Sequence, residues 1–530
     1  MSPEKDSLFS KYKWVLNEIK FLNVVGWPTA IGFFSDALQI QISTVLVGHS
    51  SSTNIKQLLN GLFVGQSIYV ITSLIILQGL TTGMTALCAQ AFGSSNSATA
   101  GIYFYRAFLL AILTCFPIWA FWIKVEDISM YLLGDALEAR YAGQYTTIIA
   151  FGYPANLYYR LTYGFLQAQQ KVFVTTLFFL FSTFLNLILQ YISIFILELE
   201  ALGVAMAYVA SVNFVALQFY IYIRFINIHN IMPSFWTLEV LDGWMHFFNY
   251  GIAGMLQFVV DTVERRIIPI LVIGTLAGDT IQLAVYTILN VFWFLLATLT
   301  LGLSTAVTVR VGGLLGEEKP NLSKRAATLS LVVATIFFLG VGALLLILSP
   351  WMGYLFTSEL ELTSRLPLAF KVLGCVIIGD ICYIIRGVMN GCGQQNINTV
   401  INIVCIIIIG GSLEFVAGYY LEWRAAACYL MMGIVMVLSA VINLFVIYCA
   451  DWNRLSRNII KNLAVRNVFA SGTQNDTQDV VNYQSIENLL SSQEDNNYAN
   501  KYRNKFIRLL FRYFCCLLVG GIVFVFAVVY

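Results

Sequence analysis

Gly79-Leu-Thr-Thr-Gly-Met-Thr-Ala-Leu-Cys-Ala-Gln-Ala-Phe-Gly93 and Gly302-Leu-Ser-Thr-Ala-Val-Thr-Val-Arg-Val-Gly-Gly-Leu-Leu-Gly316 are two versions of one passage. Both run Gly-Leu-[Ser/Thr]-Thr-x-x-Thr, and both close on glycine fourteen residues after the first. They stand 223 residues apart (302 − 79). The same offset carries Gly164 onto Gly387 and Gly203 onto Ala426. One offset at three anchors marks an internal duplication.

Each passage closes an apolar run. A bilayer-spanning helix needs roughly 20 predominantly apolar residues. Such runs fall at 24–47, 61–87, 102–123, 142–167, 172–197, 201–224, 247–275, 280–306, 327–349, 368–390, 398–420, 424–449 and 508–529. The duplicated passages end the second and the eighth. Six spans make an even number, so both copies enter the membrane in the same direction. Parallel repeats related by an axis along the membrane normal are one plan for moving solutes, with the path near the midplane between the halves.

The fold expected is an all-α polytopic membrane protein. Two six-helix bundles are related by a pseudo-two-fold axis along the membrane normal, and a thirteenth C-terminal helix follows. The expected divisions are an N-terminal segment 1–23, a first half 24–224, a loop 225–246, a second half 247–450, a tail 451–507 and a last span 508–530. Asn, Gln, Ser and Asp dominate the tail, so it is expected to be disordered. Within it, Tyr483-Gln-Ser-Ile486 has the form of a tyrosine sorting signal.

Composition agrees. The chain of 530 residues is 59% hydrophobic and 11% charged, where soluble domains carry about 25% charged residues. A net charge of +2 gives no reason to expect a nucleic-acid partner. The ten cysteines include no CxxC pair and no histidine at ligand spacing, so they read as small packing residues. Cys515 and Cys516 are the exception, placed where acylation at a membrane face is possible. A membrane enzyme would need a nucleophile or metal cluster at depth. The three histidines (His49, His229, His246) all fall near span ends, so no enzyme, metal site or cofactor is expected. Nothing resembles the selectivity filter of a channel. Residues 1–20 are polar, so the first span is expected to act as the anchor rather than a cleaved signal.

Lysine and arginine set the orientation. With the N-terminus in the cytosol, 21 fall on the inner side, Arg160 among them, and six on the outer side. Arg265, Arg266 and Arg386 lie within spans and have no role assigned.

These passages resemble a known family. Gly83-Met-Thr-Ala-Leu-Cys-Ala-Gln-Ala-Phe-Gly93 is similar to the second-span signature of the multidrug and toxin extrusion (MATE) transporters, and Val309-Arg-Val-Gly-Gly-Leu-Leu-Gly316 to their eighth-span signature. Phe165-Leu-Gln-Ala-Gln169, Gly391-Cys-Gly393, Trp27-Pro28 and Val47-Gly48-His49 match in family order. The thirteenth span is like that of some animal members. This resemblance implies a monomeric secondary antiporter that exports organic cations in exchange for protons or sodium ions. Its expected home is the plasma membrane, or an endolysosomal one. A lipid-linked oligosaccharide flippase shares the plan, but the expected fourteen spans and strongly basic cavity are missing.

Coupling of this kind needs a carboxylate that holds a proton in one state and a cation in another. Low-dielectric surroundings favour the protonated form, which makes the exchange possible. Acidic residues within spans are few: Asp36, Asp261, Glu264, Asp380 and Glu414. Ungapped counting from the Arg-Val-Gly passage places Glu264 on the seventh-span glutamate the family needs. Asp380 falls within one residue of its tenth-span acid. Asp261 and Arg265, at i and i+4, share a helix face and are expected to pair, leaving Glu264 to titrate. Glu414 is expected nearer the outer mouth. The family's eighth-span acid is replaced by Val291 beside Asn290, and the arginine before Gly-Cys-Gly by Asn390. Substrate contacts are expected from Tyr286, Trp293 and Tyr383 through their rings, and from Asn156, Gln257 and Asn290 through hydrogen bonds.

Overall fold

A computed structural model describes residues 14–48, 50, 55–133, 135–226, 244–269, 272–273, 280–352, 360–422 and 424–470. The 225–246 loop from 227 to 243, the tail beyond 470, the Tyr483 motif, Cys515, Cys516, His49 and the thirteenth span lie outside the described residues.

Twelve long helices follow the predicted spans. They are α1 (Trp14–Val47), α2 (Gln57–Gly93), α3 (Ser97–Trp122), α4 (Ala136–Ala168), α5 (Phe173–Ile196) and α6 (Glu200–Ile226). The second half gives α7 (Trp244–Thr262, continued by Val263–Ile267), α8 (Thr280–Gly316), α9 (Pro320–Met352), α10 (Leu360–Val376, Ile377–Asp380, Ile381–Gly391), α11 (Gln395–Tyr420) and α12 (Arg424–Cys449). A short helix, Val125–Leu133, precedes α4. Among the described residues there is no strand, and ten helices are long and apolar enough to cross a bilayer. Several extend past the apolar run. At 37 residues, α8 reaches about 55 Å, at about 1.5 Å per residue.

Local chemistry fixes the ends. Asp135 starts α4 by accepting from Leu137 N at 2.8 Å and Glu138 N at 3.2 Å, and Asn96 starts α3 by accepting from Thr99 N at 3.2 Å. Pro320 opens α9, where its missing N–H costs nothing.

The duplication reaches backbone level. Left-handed residues recur at the repeat offset: Ser95 (φ 60°) with Glu318 (φ 59°), and Gln170 (φ 62°) with Gly393 (φ 74°). The turns that carry them share one hydrogen-bond pattern. Asn96 N donates to Ala91 O at 2.9 Å, and Lys319 N to Leu314 O at 2.9 Å. Inside each half, Thr85 Oγ1 donates to Gly164 O (3.3 Å) and Thr308 Oγ1 to Gly387 O (2.9 Å). The threonine of each passage thus meets the glycine anchor of its own half in the same way twice.

Between the halves, the first glycine of each passage is a crossing point. A Cβ on Gly79 would collide with the Met255 backbone of α7, and one on Gly302 with the Ala30 backbone of α1. The close approach needs glycine. Gln90 Nε2 donates to Gly391 O at 3.0 Å, tying α2 to α10. Glu18 of α1 and Arg310 of α8 form a two-bond ion pair, with Arg310 Nε at 2.9 Å from Glu18 Oε2.

One expectation fails. Residues from Trp452 to Ala470 form a helix, α13, not a disordered tail. The average polarity of 451–504 hides an apolar stripe at its start: Trp452, Ser456, Ile459 and Leu463 are buried at helical spacing. Asp451 caps it, accepting from Asn453 N at 3.0 Å and Arg454 N at 3.2 Å. Ser456 Oγ donates to Leu315 O at 2.8 Å, fastening α13 to the end of α8.

Candidate functional site

A cavity of about 280 Å³ lies between the halves. The first half contributes Phe33, Asp36, Phe63 and Arg160; the second contributes Phe258, Asp261, Arg265, Tyr286, Asn290, Trp293, Phe294 and Tyr383. Aromatic rings therefore line a space that also holds charges of both signs. Below it, a void of about 30 Å³ is lined by Thr81, Thr85 and Gln167 of the first half and by Ser304, Thr308, Gln257, Arg386 and Asn390 of the second.

Each half presents an aspartate–arginine pair to this region. Asp36 of α1 accepts from Arg160 Nη2 at 2.6 Å and from Tyr159 Oη at 2.8 Å. Asp261 of α7 accepts from Arg386 Nη1 and Nη2 at 2.8 and 2.9 Å. The aspartates stand 225 residues apart and the arginines 226, so the pairs are repeat partners. Each arginine also lies over a neighbouring tyrosine, Arg160 over Tyr159 (5.4 Å) and Arg386 over Tyr383 (4.8 Å).

Asp261 therefore pairs with Arg386, not with Arg265 as expected. The cause is local. Val263–Ile267 is a π turn, in which hydrogen bonds run i to i+5 rather than i to i+4. The widened turn takes Arg265 off the face that Asp261 occupies. It also frees the Arg265 carbonyl for side chains of α8: Tyr286 Oη donates to it at 2.9 Å and Asn290 Nδ2 at 2.7 Å.

The turn brings Arg265 beside Glu264, although adjacent helical positions normally point apart. Arg265 Nε is 3.6 Å from Glu264 Oε2, and its Nη2 is 3.8 Å from Asp380 Oδ1. Its guanidinium lies 3.1 Å over the Trp293 ring, and Trp293 Nε1 donates to Asp380 Oδ2 at 2.9 Å. Glu264, Arg265 and Asp380 are all buried. Glu414 is buried as well. The Arg266 side chain lies outside the described residues.

The other expected contacts divide. Tyr286, Asn290, Trp293 and Tyr383 line the cavity. Gln257 lines only the smaller void, and its Nε2 donates to Thr399 Oγ1 at 3.2 Å. Asn156 lies behind the cavity wall. It donates to Tyr69 Oη (2.7 Å) and accepts from Arg160 Nε (2.8 Å), which positions the arginine rather than a ligand. Sequence reasoning missed Arg160 by counting it as an inner-loop charge. The signal was available: the repeat carries it to within three residues of Arg386, an arginine already recognised as within a span.

Two six-helix bundles around a central cavity with buried carboxylates define a duplicated, polytopic transporter architecture. The MatE family profile matches residues 28–192 and 263–416, and the chain belongs to that family. It is 27% identical to "Multidrug and toxin extrusion protein 1" of Danio rerio over 431 residues, covering 79% of this chain and 70% of that protein. With the Homo sapiens protein of the same name it shares 24% identity over 485 residues, covering 89% and 82%. The crystal structure of a eukaryotic MATE transporter aligns with a TM-score of 0.77 at 22% identity, covering 84% of this chain and 99% of that one. A MATE protein in the bent conformation aligns with a TM-score of 0.71 at 17% identity, covering 84% and 97%.

Proposed function

We propose that this protein is a secondary antiporter that exports organic cations, in exchange for protons, by alternating access between its two halves. One observation carries the reading. Glu264 and Asp380 are buried together behind a cavity wall of aromatic rings that both halves build. A flat cation gains from the faces of Trp293, Tyr286 and Tyr383. A buried carboxylate group then holds either that cation or protons, because leaving it bare in low dielectric is costly. Mutually exclusive occupancy gives exchange if the unoccupied, charged site does not reorient.

The glycine crossings at Gly79 and Gly302 let the halves pivot on close backbone contacts. In the orientation that the lysine and arginine bias favours, Glu18–Arg310 and Gln90–Gly391 close the cytosolic end. The protein then works as a multi-pass membrane protein with a cytosolic N-terminus, at the plasma membrane, and as a monomer.

The test uses purified protein in vesicles with an imposed pH gradient and an ethidium-type dye. Gradient-driven uptake that Glu264→Gln reduces at least about tenfold supports the reading. No uptake, or an unchanged trace for Glu264→Gln, ends it. A sodium gradient in place of the pH gradient assigns the coupling ion.

A further inference from the structure

We propose that Arg265 is a tethered counter-ion, which cationic cargo displaces from Glu264 and Asp380 as it binds. This deepens the antiport reading and rests on it.

The molecule contains its own standard for a settled ion pair. Arg386 makes two parallel bonds of 2.8 and 2.9 Å to Asp261, the fork geometry that anchors a guanidinium firmly. Arg265 does nothing comparable. Its contacts to Glu264 and Asp380, at 3.6 and 3.8 Å, are beyond hydrogen-bond length. Its Nη1 and Nη2 point at the sulfurs of Met432 (3.1 Å) and Met436 (3.0 Å), which are weak acceptors. Among the described residues its Nε has no hydrogen-bond partner, and neither has Oε2 of Glu264, although both residues are buried. What holds the guanidinium is long-range charge and the Trp293 face at 3.1 Å. A ring face and a nearby carboxylate are also what an organic cation needs. The cargo and Arg265 thus want the same contacts, and Arg265 already borders the cavity.

The charges around it favour a replaceable cation. Glu264 on α7 and Asp380 on α10 come within 4 Å of it, and Asp261 on α7, Tyr383 on α10, Glu414 on α11, Tyr286 on α8 and Tyr429 on α12 interact with it electrostatically. Asp261 and Arg386 satisfy each other. Among the described side chains, that leaves Glu264 and Asp380 within 4 Å of the Arg265 guanidinium. When cargo takes its place, the unbranched arginine stem lets the head swing toward the cavity. On release, the head returns, so the carboxylates are not left without a cation.

The test is direct binding of ethidium to purified protein in detergent, read by fluorescence anisotropy, beside vesicle uptake. Arg265→Met removes the competitor. Expected are dye binding tighter by between about 5-fold and 150-fold, the usual span of coupling between two sites, and slower turnover because nothing drives release. Arg265→Lys keeps the charge and stays within about 3-fold of wild type. In the double variant Arg265→Met/Asp380→Asn, affinity falls back toward wild type. If Arg265→Met does not fold, Arg265→Gln carries the same expectation. Binding in a folded Arg265→Met or Arg265→Gln protein that is unchanged or weaker than wild type overturns the proposal, while the antiport reading survives if wild type still binds and exports the dye. Failure of wild type to bind any cation overturns both.

Discussion

Consider removing one member of the first half's ion pair. Arg160→Met preserves the apolar stem and deletes the guanidinium. Asp36 then loses its 2.6 Å partner and keeps only the 2.8 Å bond from Tyr159, while Asn156 Oδ1 loses its donor at 2.8 Å. Breaking a buried pair by removing one partner costs about 3–5 kcal/mol, because it strands a charge. The side chains of Arg160 and Asp36 are 12% and 16% exposed, so the lower end, about 3 kcal/mol, is expected. Asp36→Asn strands the arginine in turn, at a similar cost. The double variant Asp36→Asn/Arg160→Met strands no charge, and replacing both partners of a buried pair is often close to neutral. Its cost should therefore fall below the sum of the single variants by about 2 kcal/mol or more, at the upper end of couplings between touching residues. The measurement is reversible unfolding in mixed micelles, followed by tryptophan fluorescence, for all four proteins of the cycle. If the single-variant effects simply add, the pair is not a coupled unit. A loss below about 0.5 kcal/mol for Arg160→Met would show that water reaches the pair freely.

Further outcomes follow from single contacts. Trp293→Phe deletes the 2.9 Å donor to Asp380; a hydrogen bond to a charged group contributes about 1.5–3 kcal/mol, and unfolding of the variant should register that loss. Thr308→Val should destabilise by about 1 kcal/mol, and Thr85→Val by less, because their bonds to the repeat glycines measure 2.9 and 3.3 Å. Gly302→Leu drives a side chain into the Ala30 backbone; overpacking of about 1–3 kcal/mol should lower the thermal midpoint, and dye uptake should fall with it. Glu18→Gln removes the charge from the α1–α8 pair, so cysteines placed across that end should cross-link more slowly than in wild type.

Most of the architecture was legible because its signals are long. A bilayer demands extended apolar runs, and a duplication repeats its glycines at fixed spacing. The offset read from Gly79 and Gly302 proves accurate down to the left-handed turns at Ser95 and Glu318. Other features escaped, and two of them show why. The α13 helix was hidden by averaging over a polar tail, although Trp452, Ser456, Ile459 and Leu463 already stood at helical spacing. The Asp261–Arg386 pair was misassigned because the i, i+4 rule assumes a regular α-helix. Nothing in Val263-Glu-Arg-Arg-Ile267 announces a π turn. The turn is maintained by the donors Tyr286 and Asn290, which reach the Arg265 carbonyl from another helix. Tertiary contacts of that kind leave no local pattern.

The duplication also explains why the two halves are not equivalent in charge. Both kept the aspartate–arginine pair between their first and fourth helices, so that pair is part of the shared scaffold: it joins α1 to α4 and α7 to α10. The second half also buries Glu264, Asp380 and Glu414, with Arg265 beside the first two. At the repeat offset, the positions matching Glu264 and Asp380 fall at Gln41 and Leu157, and neither is acidic. Among the described residues, the buried acidic groups beyond the two pairs and Glu18 therefore lie on the second half's side. The first half lines the cavity with the Asp36–Arg160 pair, and the second half with Asp261 and Arg265. The exchange proposed above needs a site where a proton and a cation exclude each other, and the carboxylates proposed for it, Glu264 and Asp380, stand on the second half's copy of the shared scaffold.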